Sequence, residues 1–123
     1  MTIKKILIVD DSPTDRHMLS NILTRGGYQV KFANSGEDGV AMSKQGVPDL
    51  VLMDVVMPGL NGFQATRQLK KDSTTAHIPV VIVTTKDQET DKIWGMRQGA
   101  KDYLTKPVEE GSLINTIQAI LGR

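Results

Sequence analysis

Three short apolar runs, Ile6 to Val9, Leu50 to Met53 and Val80 to Val83, show no alternation of polar and apolar positions. A strand with one face in water alternates, so runs this short and this uniform belong to strands covered on both faces, as in a parallel sheet flanked by helices. A weaker run, Tyr28 to Ala33, and a short one, Asp102 to Thr105, supply two further strands. The segments between them begin like helices. Ser12 reads as N-cap, Pro13 as first helical position and Asp15 as an approximate capping-box partner. Ser35 with Asp38 repeats the pattern, and Asp87 is placed to cap the stretch through Gln98. Gly26-Gly27, Gly46 and Gly99 close candidate helices. Met18, Leu19, Ile22 and Leu23 form an apolar stripe at helical spacing, as do Leu113, Ile114, Ile117, Ile120 and Leu121. Strand followed by helix, five times over, predicts an α/β fold: an open, doubly wound parallel sheet with five helices on its two faces and right-handed crossovers.

Ligands of such sheets bind beyond the carboxyl ends of the strands, where strand order reverses. The polar residues gather there: Asp10 and Asp11 after the first strand, Asp54 after the third, Thr84 after the fourth, Lys106 after the fifth. Carboxylates brought together in this way repel, by up to roughly 4 kcal/mol for two charges about 4 Å apart at an effective dielectric near 20. A cation is therefore called for, and a divalent metal is the simplest. Asp11 and Asp54 are hard oxygen ligands, and a site with few protein ligands and several waters suits Mg²⁺ better than Ca²⁺. The Asp54 carboxylate can also act as a nucleophile and form an acyl phosphate. Metal and Lys106 would neutralise the phosphoryl oxygens, and the Thr84 hydroxyl would donate one hydrogen bond to them.

Asp10-Asp11, Asp54 followed by Met57-Pro58-Gly59, Thr84, Tyr103 and Lys106-Pro107 stand in an order and spacing that resemble the receiver domain of two-component response regulators, the family of the chemotaxis response regulator. The resemblance implies a flavodoxin-like sheet of order 2-1-3-4-5 and a single receiver domain over residues 1–123 with no separate output domain. It implies that Asp54 accepts phosphate from the phosphohistidine of a cognate histidine kinase. Asp10, Asp11 and Asp54 would form the Mg²⁺ site, with the backbone carbonyl of Val56 as a further ligand. Thr84 and Tyr103 would be the switch, threonine moving toward the phosphoryl group and the aromatic ring turning inward. The face of the fourth helix, fifth strand and fifth helix would then exchange protein partners. Lys106-Pro107 is expected to be a cis peptide. Apart from phosphorylating and dephosphorylating itself, such a chain is not an enzyme, and a monomer is expected.

Val55 through Arg67 and Thr84 through Lys92 carry a closer resemblance, to the regulators of the chemotaxis-like system that controls type IV pilus twitching motility. Its downstream target would then be pilus motor machinery. Two positions depart from the commoner pattern: Thr85 stands where a smaller residue is usual, and Val56 where many relatives have a polar one. Val56 and Lys86, flanking the site, are expected to slow or redirect the water that hydrolyses the acyl phosphate.

Taken singly these residues say little. An Asp-Asp pair is commonly a solvated turn, threonine is at home in strands, and most lysines are solvated. Their value is collective. Tyr103 fits a half-buried aromatic as well as a switch, and Trp94 fits core packing as well as partner contact. His17 and His77 have no ligand-spaced companion and read as surface residues. Met18, Met42 and Met53 fit the core. A phosphohydrolase of the haloacid dehalogenase type would need a general acid two residues after the nucleophile, where this chain has Val56. A phosphate sink or phosphorelay intermediate shares the receiver site. An FMN binder would be repelled by Asp10-Asp11, and no Walker loop is present.

Composition agrees with one small domain: 123 residues, 39% hydrophobic. Fifteen Lys and Arg against fourteen Asp and Glu give no nucleic-acid footprint. No apolar stretch nears about 18 residues, and Met1 to Lys5 leads directly into a strand without a signal-peptide core, so a cytoplasmic protein with no membrane insertion is expected. Zero cysteines exclude disulfides and thiol chemistry.

Overall fold

A computed structural model describes residues 3–122, so the reading at Met1 and Thr2 lies outside the described residues. The chain runs β1 (Lys5–Val9), α1 (Pro13–Arg25), β2 (Gln29–Ala33), α2 (Gly36–Gly46), β3 (Leu50–Met53), α3 (Gly62–Lys71), β4 (Val80–Thr84), α4 (Glu89–Arg97), β5 (Asp102–Thr105) and α5 (Glu110–Leu121). The strands form one five-stranded sheet of order β2-β1-β3-β4-β5, every neighbouring pair parallel. This is the flavodoxin-like order expected, and strand order reverses at β1 and β3.

The apolar runs map onto position in the sheet. β3 and β4 are buried at every residue and β1 at all but Lys5. The two weaker runs, β2 and β5, are the edges, where half the backbone and much of the side-chain surface meets water. Ile6, Ile8, Leu50, Leu52, Val81 and Val83 pack with Leu19 and Leu23 of α1 and Leu113 and Ile117 of α5 on one face. Leu7, Val9, Val51, Met53 and Val80 pack with Val40 of α2 and Ala65 and Leu69 of α3 on the other. Alternate residues of each central strand thus serve opposite layers, which is why no polar position interrupts them.

Several local expectations are corrected. Met18 is 38% exposed, so α1 buries Leu19, Ile22 and Leu23 without it; Met53 is buried and Met42 partly so. Asp87 does not cap α4; Gln88 does, its N–H donating to Asp91 Oδ2 at 3.3 Å. The start of α3 is a reciprocal box between Asn61 and Gln64, at 2.9 and 3.0 Å. Gly46 is the last helical residue of α2, and the left-handed turn that ends the helix falls on Val47, at φ 41°, ψ 72°.

That last geometry is strained twice over: a β-branched residue occupies the left-handed region, and it precedes Pro48, which disfavours compact conformations of its neighbour. Val47 is 43% exposed and gives up little burial when replaced. Val47→Asn is therefore expected to raise the unfolding free energy by about 0.5–1 kcal/mol. Urea denaturation measures it, and a midpoint shifted downward would contradict the strain.

Candidate functional site

The sheet ladder runs one residue past β1 and β3 and thereby places the acids. Asp10 N–H donates to the Ala33 carbonyl at 3.0 Å, and Asp54 N–H to the Val9 carbonyl at 2.9 Å. Asp10 and Asp54 are buried, while Asp11 is exposed. One carboxylate oxygen from each of Asp10, Asp11 and Asp54 lies within 4.8 Å of the others. Their orientations are fixed locally: Val55 N–H donates to Asp54 Oδ1 at 2.7 Å, and Ser12 N–H to Asp10 Oδ1 at 2.9 Å. Gly62, the first residue of α3, backs directly onto the Asp54 peptide, where a Cβ would collide with the Asp54 carbonyl. An all-oxygen set at this separation is the donor chemistry a hard divalent cation takes.

Lys106 closes the cluster. Its N–H donates to the Thr84 carbonyl at 2.8 Å, which holds the end of β5 against β4. Its side chain is 9% exposed, and Nζ donates to Asp10 Oδ2 at 2.8 Å, Asp15 Oδ2 at 2.8 Å and Asp54 Oδ2 at 3.4 Å. Burial alone would lower the lysine's pKa; the bonds to Asp10 and Asp15 and the charges of Asp54 and Asp10 overcome it and push the pKa above its ordinary value. Burial raises the Asp10 carboxyl, and the bonds from Lys106 and from Ser12 N–H offset this only in part, with Asp54's charge adding to the rise. Lys106-Pro107 is cis, as expected.

Thr84 is fully buried at the end of β4. Its hydroxyl accepts from Lys86 N–H over a long 3.4 Å, and among the described residues no hydrogen bond joins it to Asp54. Tyr103 is half-buried against Val55, Phe63, Ile82 and Ala100, and its hydroxyl donates to the Lys86 carbonyl at 2.7 Å. Burial, followed by the charges of Asp91, Asp54 and Asp87, pushes its phenol up to about 12. The Lys86 ammonium turns to Asp91 of α4 at 3.7 Å, and the Val56 side chain is 56% exposed. Trp94 is 48% exposed, which removes it from the core, and His17 and His77 are exposed as expected.

Sequence reasoning missed Asp15. It was expected to reach back to its own N-cap; instead Ser12 Oγ accepts from Asp15 N–H at 3.3 Å while Ser12 N–H is taken by Asp10. The Asp15 carboxylate, freed from the cap, goes to Lys106. Arg16 is a second omission, its guanidinium donating to the Asp10 carbonyl at 2.8 Å. The available signal was a further acid and a base within six residues of Asp10 on the first helical turn.

Residues 6–118 match the response regulator receiver domain family. The chain is 66% identical over 117 residues to the protein PilH of Pseudomonas aeruginosa, covering 95% of this chain and 97% of that one. Other relatives are longer, and the chain spans 26% and 52% of two of them. Chemotaxis protein CheY4 of Vibrio cholerae superposes with a TM-score of 0.91 at 32% identity, over 98% of this chain and 100% of that one. The receiver domain of the sensor histidine kinase PA1611 of Pseudomonas aeruginosa, solved with a magnesium ion coordinated in its active site cleft, superposes with a TM-score of 0.91 at 27% identity, over 99% of this chain and 100% of that one.

Because the folded state raises the Asp10 pKa, the stability linked to it is full at acid pH and is lost as pH rises through that raised value. Asp10→Asn keeps the neutral form at every pH, so in metal-free buffer near neutrality it should raise Tm, Lys106 keeping Asp15 and Asp54 as partners. Calorimetry at neutral and acid pH tests this, the gain vanishing in acid. Ultraviolet titration gives a second check: a tyrosinate increment near pH 12 should be present in the native chain and missing from Tyr103→Phe.

Proposed function

The chain belongs to the response regulator receiver domain family, and from that membership we propose that it is a phosphorylation switch whose acceptor is Asp54. The observation that carries the proposal is the three-acid cluster capped by one buried lysine. In the transfer, the N–P bond of a histidine kinase's phosphohistidine breaks and its electron pair returns to the imidazole. A bond forms between phosphorus and an Asp54 carboxylate oxygen, giving an acyl phosphate. Oδ1 is engaged by Val55 N–H, so Oδ2, on the Lys106 side, is the attacking atom.

Asp10, Asp11 and Asp54, with the backbone carbonyl of Val56, would hold Mg²⁺. When bound, the metal supplies charge neutralisation for the phosphoryl oxygens. Lys106 supplies the second positive charge, already aimed at Asp54, and Thr84 the hydrogen bond that draws its hydroxyl away from Lys86 N–H. Tyr103 answers by leaving or tightening its hold on the same residue's carbonyl. The output is a changed protein-binding surface on α4, β5 and α5, where Ile93, Trp94 and Met96 stand exposed.

The pathway is the finer part of the proposal. The relative PilH, together with the resemblance at Val55 through Arg67 and Thr84 through Lys92, supports a chemotaxis-like pathway controlling type IV pilus twitching motility, with pilus motor machinery as the downstream target. No described helix is long and apolar enough to cross a membrane. An action in the cytoplasm, as a monomer, completes the proposal.

Incubation with acetyl phosphate and Mg²⁺, followed by intact mass, should give a single phosphoryl adduct that is absent from Asp54→Ala and does not form when Mg²⁺ is chelated beforehand. No adduct from any donor would sink the proposal. With the adduct in hand, Val56→Asn should lose it several-fold faster, because the exposed valine offers water no hydrogen bond; an unchanged rate removes Val56 from the account.

A further inference from the structure

We propose that Asp15 is a positioning residue that competes with the phosphoryl group for Lys106, and so sets how readily the site accepts and keeps that group; this rests on the receiver reading above. An ammonium has three N–H donors. All of those of Lys106 are engaged, with Asp10 and Asp15 at 2.8 Å each and Asp54 at 3.4 Å. The N–H that Lys106 can turn to a phosphoryl oxygen is the one held loosely on Asp54 Oδ2 at 3.4 Å, and a close approach to that oxygen draws the ammonium away from its two short partners.

The two short bonds differ in what surrounds them. The Asp10 side chain is 2% exposed and the Asp15 side chain 32%. Withdrawing the lysine from Asp10 leaves a buried carboxylate unpaired, whereas water can replace it at Asp15. Asp15 is therefore the exchangeable partner. It is also outside the cluster of Asp10, Asp11 and Asp54, so a cation held by those three does not use the Asp15 carboxylate. The cap makes the hold stiff: Asp15 N–H is tied to Ser12 Oγ, and Ser12 N–H to Asp10 Oδ1. Arg16 fixes the other side of the same turn through the Asp10 carbonyl.

Charge gives the proposal its distinguishing sign. Asp15 adds a fourth negative group beside the three acids, which favours a cation and opposes an anion on Asp54. Removing that charge must weaken one ligand and strengthen the other. A variant that merely loosened the site would weaken both.

The test uses the full chain, its Asp15→Asn variant and, should that variant fold poorly, Asp15→Ala. Mg²⁺ binding is measured by calorimetry. Beryllofluoride, an anionic tetrahedral analogue of the phosphoryl group, is then titrated at saturating Mg²⁺ and followed by fluorine NMR. Neutralising Asp15 is expected to weaken Mg²⁺ about two- to fivefold and tighten beryllofluoride about three- to tenfold, as one partly screened charge near the site would do. Beryllofluoride affinity unchanged or weakened in the folded variant overturns the competition while the native chain's binding keeps the receiver reading intact. A native chain that binds no beryllofluoride in Mg²⁺ overturns both.

Discussion

Lys106 is the charge on which this architecture rests. Parallel strands that end together deliver their terminal residues to one place, and here those residues are acids. Two of them are buried, where an unpaired carboxylate is worst tolerated. One ammonium, brought from the far edge of the sheet 96 residues after Asp10 and 52 after Asp54, meets both. The pairing is mutual, since burial lowers the lysine's pKa and the carboxylates more than restore it. Because Asp15 joins the same ammonium, β1, β3, β5 and α1 converge on one nitrogen. The end of the sheet is thus held by charge balance as well as by its ladder, although burial still leaves the Asp10 pKa above its ordinary value.

The central strands were legible because burial on both faces leaves a direct trace, an uninterrupted apolar run, and the edges were fainter for the same reason. Strand ends were legible too, and the sequence alone brings Asp10, Asp11, Asp54, Thr84 and Lys106 to one region. Asp15 was not. A local partner three residues away offered itself, whereas the partner the structure records lies 91 residues along the chain. Local pattern cannot weigh a cap against a buried ammonium. The structure decides for the ion pair because Asp10 had already taken the Ser12 N–H that Asp15 would have accepted.

Helical phase failed at α4 for a different reason. Its only buried residue is Gly95, where a Cβ would crowd the Tyr103 ring at 3.0 Å and Ile82 at 2.9 Å. The helix meets the sheet through a missing side chain, so Ile93, Trp94 and Met96 are left facing outward although they are among its most apolar residues. Counting apolar positions finds no stripe, since the packed face carries none. The same glycine leaves room for the Tyr103 ring against the helix, and its hydroxyl reaches the loop before α4.

That loop is where a switch of this kind would act, and its bonds are unequal. The Lys86 peptide is held from both ends: its N–H reaches Thr84 Oγ1 at 3.4 Å, beyond the usual range, and its carbonyl receives the Tyr103 hydroxyl at 2.7 Å. The weaker bond is the one that a phosphoryl group on Asp54 would disturb, because a Thr84 side chain drawn toward phosphate to donate to it would carry its oxygen away from Lys86 N–H. Losing it costs little, and it frees the backbone to which Tyr103 is firmly attached. A small event at a buried hydroxyl would thereby pass through one peptide unit to an aromatic ring against α4. On the proposed reading, the exposed residues of α4 can respond to phosphate at Asp54 without any direct contact between them and the site.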